Sequence, residues 1–103
     1  MNEQMVLMQL VAPAGQASLL SDFLLAERHT PFFTAVELAG YGQPHEQLTP
    51  DEQVAGAQRK VKFELELPQA DVEALLKKLS DALPALTLAW RVLPILNQGT
   101  LGD

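Results

Sequence analysis

Five polar side chains in and beside one stretch of the 103-residue chain have the chemistry to bind a ligand. They are Tyr41, His45, Glu46, Gln58 and Arg59. A histidine beside a carboxylate, as in His45 and Glu46, can supply two ligands to a divalent metal ion. A guanidinium such as that of Arg59 can hold an anion together with the backbone amides of a loop. The sequence therefore predicts binding chemistry here without identifying a cofactor.

A complete metal site needs more ligands than His45 and Glu46 provide, because zinc usually takes three or four. The chain has no cysteine, and no HxH motif lies nearby. His29 would contribute only if folding brought it close, and it is equally suited to the C-terminal end of a helix. A second subunit is the other source of ligands.

The basic residues after this stretch also have a structural interpretation. Arg59, Lys60 and Lys62 begin a segment of alternating polar and apolar residues. Cross-strand pairing with Glu37, or a solvated sheet face, would account for them without an anion.

The spacing of apolar residues predicts four strands and two helices around the stretch. The strands are predicted at residues 4–12, 32–39, 60–67 and 87–93, and the helices at residues 17–30 and 68–83. Trp90 alternates with Leu88 and Val92, so we expect it in the core. This order predicts an α+β, ferredoxin-like βαββαβ fold, a four-stranded antiparallel sheet with both helices on one face.

The connection at residues 41–58 is far longer than the two to five residues that most hairpins use. Thr49, Pro50 and Glu52 form a capping-box pattern, which predicts a short helix from Pro50 to about Ala55 that Gly56 ends. We therefore expect one domain over residues 1–103, with a long connection at 41–58 and a tail at 95–103.

The first strand is apolar on both faces, although the helices can cover only one. A symmetric partner is the usual way to cover the other face, so we expect a homo-oligomer. The net charge of −6 disfavours nucleic acid as a partner. No apolar run reaches the length of a membrane span, and the N-terminus lacks a basic signal-peptide start, which favours a cytoplasmic location.

Catalytic motifs are missing from the sequence. It has no nucleophile elbow, P-loop or HExxH motif, and residues 12–16 lack the arginine of an acylphosphatase loop. We therefore expect no enzyme activity. The enzyme alternative is a cofactor-independent oxygenase of the same fold, a class that is typically dimeric.

Residues 41–65, YGQPHEQLTPDEQVAGAQRKVKFEL, resemble a small bacterial PII-like family of unknown function. Its members are often encoded beside heavy-metal efflux pumps. More distantly, the layout is similar to that of the PII nitrogen-regulatory signalling proteins. The resemblance is carried by Gly42, His45, Glu46, Leu48, Thr49, Glu52, Gln53, Val54, Gly56, Gln58, Val61 and Phe63.

This resemblance implies a PII-like trimer with a regulatory role, whose long loop corresponds to the partner-binding T-loop. A small molecule, a divalent metal ion or a partner protein such as a membrane transporter would bind there, and a cation-handling role in metal tolerance is the alternative. Nucleotide-binding PII proteins have a glycine-rich segment before the last strand. Residues 81–86 contain no glycine, so the usual ATP or ADP site is not expected.

Overall fold

A computed structural model of the chain describes residues 3–27 and 32–102. The strands are β1 (Met5–Pro13), β2 (Phe33–Gly40), β3 (Gln58–Pro68) and β4 (Ala89–Pro94). The helices are α1 (Ala17–Ala26), α2 (Pro50–Ala55) and α3 (Val72–Ala82). Short 3-10 helices lie at Ala14–Gln16, His45–Gln47 and Gln69–Asp71.

The four strands form one antiparallel sheet in the order β2-β3-β1-β4. The α1 crossover connects β1 to β2, and the α3 crossover connects β3 to β4. The predicted ferredoxin-like βαββαβ fold is therefore confirmed, with β2 and β4 as the edge strands. None of the helices in the described residues is both long and apolar enough to cross a membrane.

The core lies between the sheet and the two long helices. Alternate residues of β1 and β3 point to this side, because successive side chains of a strand face opposite ways. Burying each large apolar side chain contributes roughly 1.5–3 kcal/mol. The buried apolar side chains of this layer are Val6, Met8, Leu10, Ala12, Leu20, Leu24, Phe63, Leu65, Leu67, Val72, Leu75 and Leu79.

Within the described residues, α1 and α3 both pack on the core side, so neither covers the opposite face of the sheet. Met5, Leu7 and Val11 are half-buried there. Gln9 also points to this face, and its Nε2 donates a hydrogen bond to Glu64 Oε2 at 2.8 Å. The face is thus apolar along β1 and polar along β3, as the sequence predicts.

The sequence prediction that Trp90 lies in the core is wrong, because 55% of this residue is exposed. Its partner across the β1–β4 ladder is the fully buried Leu10, so Trp90 does point to the helix side of the sheet. It is exposed because β4 is an edge strand and α3 covers it incompletely.

Several element boundaries differ from the predicted ones. The α1 helix ends at Ala26, because Glu27 is already in an extended conformation. Pro68 caps a 3-10 helix that precedes α3, rather than lying within that helix. The last strand begins at Ala89, after a turn that follows α3. His29 lies outside the described residues.

Candidate functional site

The connection between Gly40 and Gln58 contains two short helices. Gly42 has a φ of 91°, a left-handed conformation that glycine adopts without a steric penalty. A 3-10 helix follows at His45–Gln47 and α2 at Pro50–Ala55. The predicted helix in this connection is therefore confirmed.

The start of α2 is a complete capping box. Thr49 Oγ1 accepts a hydrogen bond from the Glu52 N–H at 3.2 Å, and Glu52 Oε1 accepts one from the Thr49 N–H at 3.0 Å. Gly56, with a φ of 75°, ends the helix in the left-handed conformation. These local bonds satisfy amides that the first turn of a helix otherwise leaves without partners.

The Glu52 carboxylate has a second role, which connects α2 to the sheet. Its Oε2 accepts a hydrogen bond from the Arg59 N–H at 2.8 Å, just inside β3. The N–H donors of Thr49 and Arg59 stabilise the ionised form and hold the pKa of the Glu52 carboxyl below its ordinary value. Only 8% of Glu52 is exposed. One carboxylate therefore links the start of α2 to the start of β3.

The 3-10 helix at His45–Gln47 is in turn hydrogen-bonded to a side chain of α2. Gln53 Nε2 donates to the carbonyl oxygens of His45 at 3.1 Å and of Leu48 at 3.2 Å. Ala57, just after α2, is buried. The second half of the connection is therefore hydrogen-bonded to the start of β3 and partly buried.

The five predicted binding residues fall into two groups. Tyr41, His45 and Glu46 lie in the first part of the connection, residues 41–48, which we call its outer end, and all three are exposed. Gln58 and Arg59 are the first two residues of β3, opposite Gly40 and Ala39. The structure brings His45 and Glu46 into one turn, whereas Arg59 is joined to the connection through its backbone bond to Glu52.

A metal centre does not assemble from the described residues alone. Residues 3–27 and 32–102 contain no cluster of three or more His, Asp or Glu side chains placed to hold an ion. His45 and Glu46 remain two adjacent, exposed groups, so further ligands would have to come from elsewhere.

The alternative pairing of Glu37 with the basic cluster is not formed. The register places Glu37 opposite Val61, and within the described residues no ion pair joins Glu37 to Arg59, Lys60 or Lys62. Lys62 instead lies 3.8 Å from Glu64. Glu37, Arg59 and Lys60 line one shallow depression beside the β2–β3 ladder. The anion-binding interpretation therefore stays a prediction.

Sequence reasoning missed two features of this structure. Glu52 and Arg59, which are in contact, stand seven positions apart in the sequence. The one signal for their contact is that a capping box uses a single carboxylate oxygen, which leaves the second oxygen of Glu52 free to accept a hydrogen bond. The second feature is an apolar groove between α3 and β4, which includes Trp90. Strand alternation gave the correct side of the sheet for Trp90 but not the gap beside the helix.

The fold is similar to that of solved nitrogen-regulatory proteins. One is the PII-like protein CPII from Thiomonas intermedia, bound to ADP, AMP and bicarbonate, with 16% identity and a TM-score of 0.63. The alignment covers 93% of this chain and 96% of that one. Another is Arabidopsis thaliana PII bound to citrate, with 16% identity, a TM-score of 0.61, and 91% and 79% coverage. The chain thus has a PII-like, ferredoxin-like fold.

The family itself is shown by the sequence. Residues 2–102 match the family described as protein of unknown function (DUF3240), and the chain belongs to this family. A solved DUF3240 family protein from Shewanella baltica is 22% identical, with a TM-score of 0.74, and the alignment covers 98% of this chain and 100% of that one. The comparison with curated proteins gave no match.

Proposed function

We propose that this protein is a non-catalytic regulator of the PII-like kind, which binds a small ligand, a metal ion or a partner protein through the outer end of its long connection. The observation that carries the proposal is the internal fastening of the connection by Glu52 and Gln53. Because Glu52 and Gln53 hold residues 49–57, the base of the connection, in place, the exposed side chains of the outer end can adopt only a limited set of positions. Such preorganisation lowers the ordering cost of binding.

The exposed surface of the connection combines apolar and polar groups. Tyr41 is 75% exposed and Val54 is 91% exposed, while His45 and Glu46 add an imidazole and a carboxylate. Apolar anchors surrounded by polar groups are typical of protein-binding surfaces. A protein partner, such as a membrane transporter, therefore fits this surface better than a deeply enclosed small molecule does.

Self-association is part of the proposal. The sheet face opposite the helices carries the half-buried Met5, Leu7 and Val11, which neither α1 nor α3 covers. Covering this face with further copies of the chain would remove an apolar surface from water. We propose a trimer, as the PII-like fold favours, in the cytoplasm.

A triple variant tests the binding role. His45→Ala, Glu46→Ala and Arg59→Ala together remove the imidazole, the carboxylate and the guanidinium but keep the Arg59 N–H that Glu52 binds. A matched control with Asp22→Ala, Glu73→Ala and Lys77→Ala removes three exposed polar side chains from the long helices.

Native mass spectrometry would compare the parent, the triple variant and the control with ADP, AMP, bicarbonate and divalent metal ions. Pull-down with candidate transporters would use the same three proteins. We expect the parent and the control to bind the same molecule and the triple variant to lose it while keeping its oligomeric state. Equal binding by all three proteins would contradict the assignment of the site.

A further inference from the structure

The C-terminal tail projects from the folded body. The Ile95 N–H donates to the Met5 carbonyl at 3.2 Å, and no backbone hydrogen bond is recorded for residues 96–102 within the described chain. Leu96 is 94% exposed and Leu101 is 101% exposed. Residues 95–102 carry no charge. The tail thus places two leucines in water, and no described residue of the same chain covers them.

The groove between α3 and β4 is uncharged, as the tail segment 95–102 is. Its volume is about 290 Å³, and one wall is the exposed ring of Trp90. None of its lining residues is charged, although 19% of the chain is. The lining residues are Leu76, Leu79, Ser80, Leu83, Pro84, Leu86, Leu88 and Trp90.

The tail and the groove lie toward opposite ends of β4. Trp90 pairs with Leu10, whereas Pro94, from which the tail continues, pairs with Val6. None of the residues that line the groove belongs to the tail. The tail therefore does not fold back into its own groove.

We propose that the tail of one subunit docks in the α3–β4 groove of a second copy of the chain, with its leucines against Trp90. The inference rests on the self-association proposed above and names one contact of that assembly. A tail that enters a different surface of the neighbour makes a head-to-tail contact, which can close into a ring. The uncharged tail segment 95–102 and the uncharged groove occur once each in every chain, so each copy can both give and receive a tail.

Trp90 is the only tryptophan of the chain and reports directly on the groove. Deleting residues 96–103 should shift its fluorescence emission to longer wavelength, because the ring becomes more exposed to water. The double variant Leu96→Asp and Leu101→Asp should give the same shift in a chain of full length. Leu25→Asp, which alters an exposed apolar residue on α1, is the matched control and should leave the emission unchanged.

A mixing experiment separates docking between copies from docking within one copy. Chains that lack residues 96–103 supply Trp90 but no tail, and full-length chains with Trp90→Phe supply a tail but no tryptophan. Co-refolding the two should restore the short-wavelength emission only if a tail enters the groove of another copy. Circular dichroism confirms that each variant is folded.

The outcomes are distinct. Restored emission in the mixture supports the inference. If deleting the tail shifts the emission but the mixture does not restore the short-wavelength emission, the tail docks within one copy and the inference is overturned. If the deletion causes no shift, the inference is also overturned. Light scattering on the same samples reports self-association separately: a trimer that persists without tail-dependent emission would retain the proposed assembly and reject the tail contact.

Discussion

The two halves of the connection between β2 and β3 differ in how the protein itself binds their polar groups. Residues 49–57 are held by the Glu52 carboxylate, which accepts from the N–H groups of Thr49 and Arg59. For Tyr41, Gly42 and Gln43, no side-chain or loop hydrogen bond is recorded within the described chain. Residues 49–57 are thus joined to the start of β3, whereas residues 41–43 present their groups to solvent. Functional loops are often arranged in this way on a rigid scaffold.

Removing the Glu52 charge should have the largest effect on the difference in hydrogen bonding between the two halves of the connection. Glu52→Gln keeps one oxygen acceptor but replaces the other with an NH₂ group, which cannot accept from a backbone N–H. We expect amides 53–59 to lose protection in hydrogen exchange and to approach the exchange of residues 41–43. Asp51→Asn, one position earlier and exposed, is the control. Unchanged protection in Glu52→Gln would show that the carboxylate does not hold the helix.

Acid should act on the same contact. The pKa of Glu52 is lowered in the fold, so its stabilising contribution is fully present above its ordinary value of 4.5 and is lost as the pH falls through the lower folded pKa. We expect the NMR shift of the Arg59 amide proton to titrate below 4.5 in the parent. The same amide in Glu52→Gln should not titrate in this range, and an identical titration there would assign the effect to another group.

Removing the Thr49 cap should have a smaller effect. Thr49→Ala deletes the oxygen that accepts from the Glu52 N–H, a contribution of about 0.5–2 kcal/mol to the helix. Amides of α2 should exchange faster, whereas Phe63 and Leu65 in β3 should stay protected because they lie in the core. Thr49→Ser keeps the acceptor and is the control. Equal loosening of α2 and of the middle of β3 would mean that the connection unfolds only together with the whole domain.

The smallest effect on stability is expected at the exposed surface. Tyr41→Ser together with Val54→Ser should change the free energy of unfolding by no more than about 0.5 kcal/mol per site, because both side chains are largely exposed. Pull-down of a partner protein should nevertheless weaken. Leu25→Ser, an exposed apolar residue on α1, is the control. Full binding by the double variant would exclude these side chains as anchors.

Local patterns explain which parts of the structure were predictable. The Thr49–Glu52 capping box depends on residues three positions apart, and the alternation in β3 depends on residues two apart. The Glu52–Arg59 bond and the exposure of Trp90 depend instead on tertiary packing. Alternation placed Trp90 on the correct face but could not show that α3 leaves part of β4 uncovered. The binding role of Tyr41, His45, Glu46, Gln58 and Arg59 stays a prediction, and only the fold shows that the last two lie in β3.

Hydrogen exchange on the unmodified protein tests the central claim most directly. The claim is that residues 49–57, the base of the connection, are held by hydrogen bonds within the fold, whereas residues 41–43 of the outer end are not. The amides of Gln53, Gly56 and Ala57 donate to backbone carbonyls, at 2.8, 2.7 and 3.2 Å respectively, and Arg59 donates to Glu52. We predict that these four amides exchange much more slowly than those of residues 41–43. Uniformly fast exchange across residues 41–59 would contradict the account, because the base would then be no more ordered than the outer end.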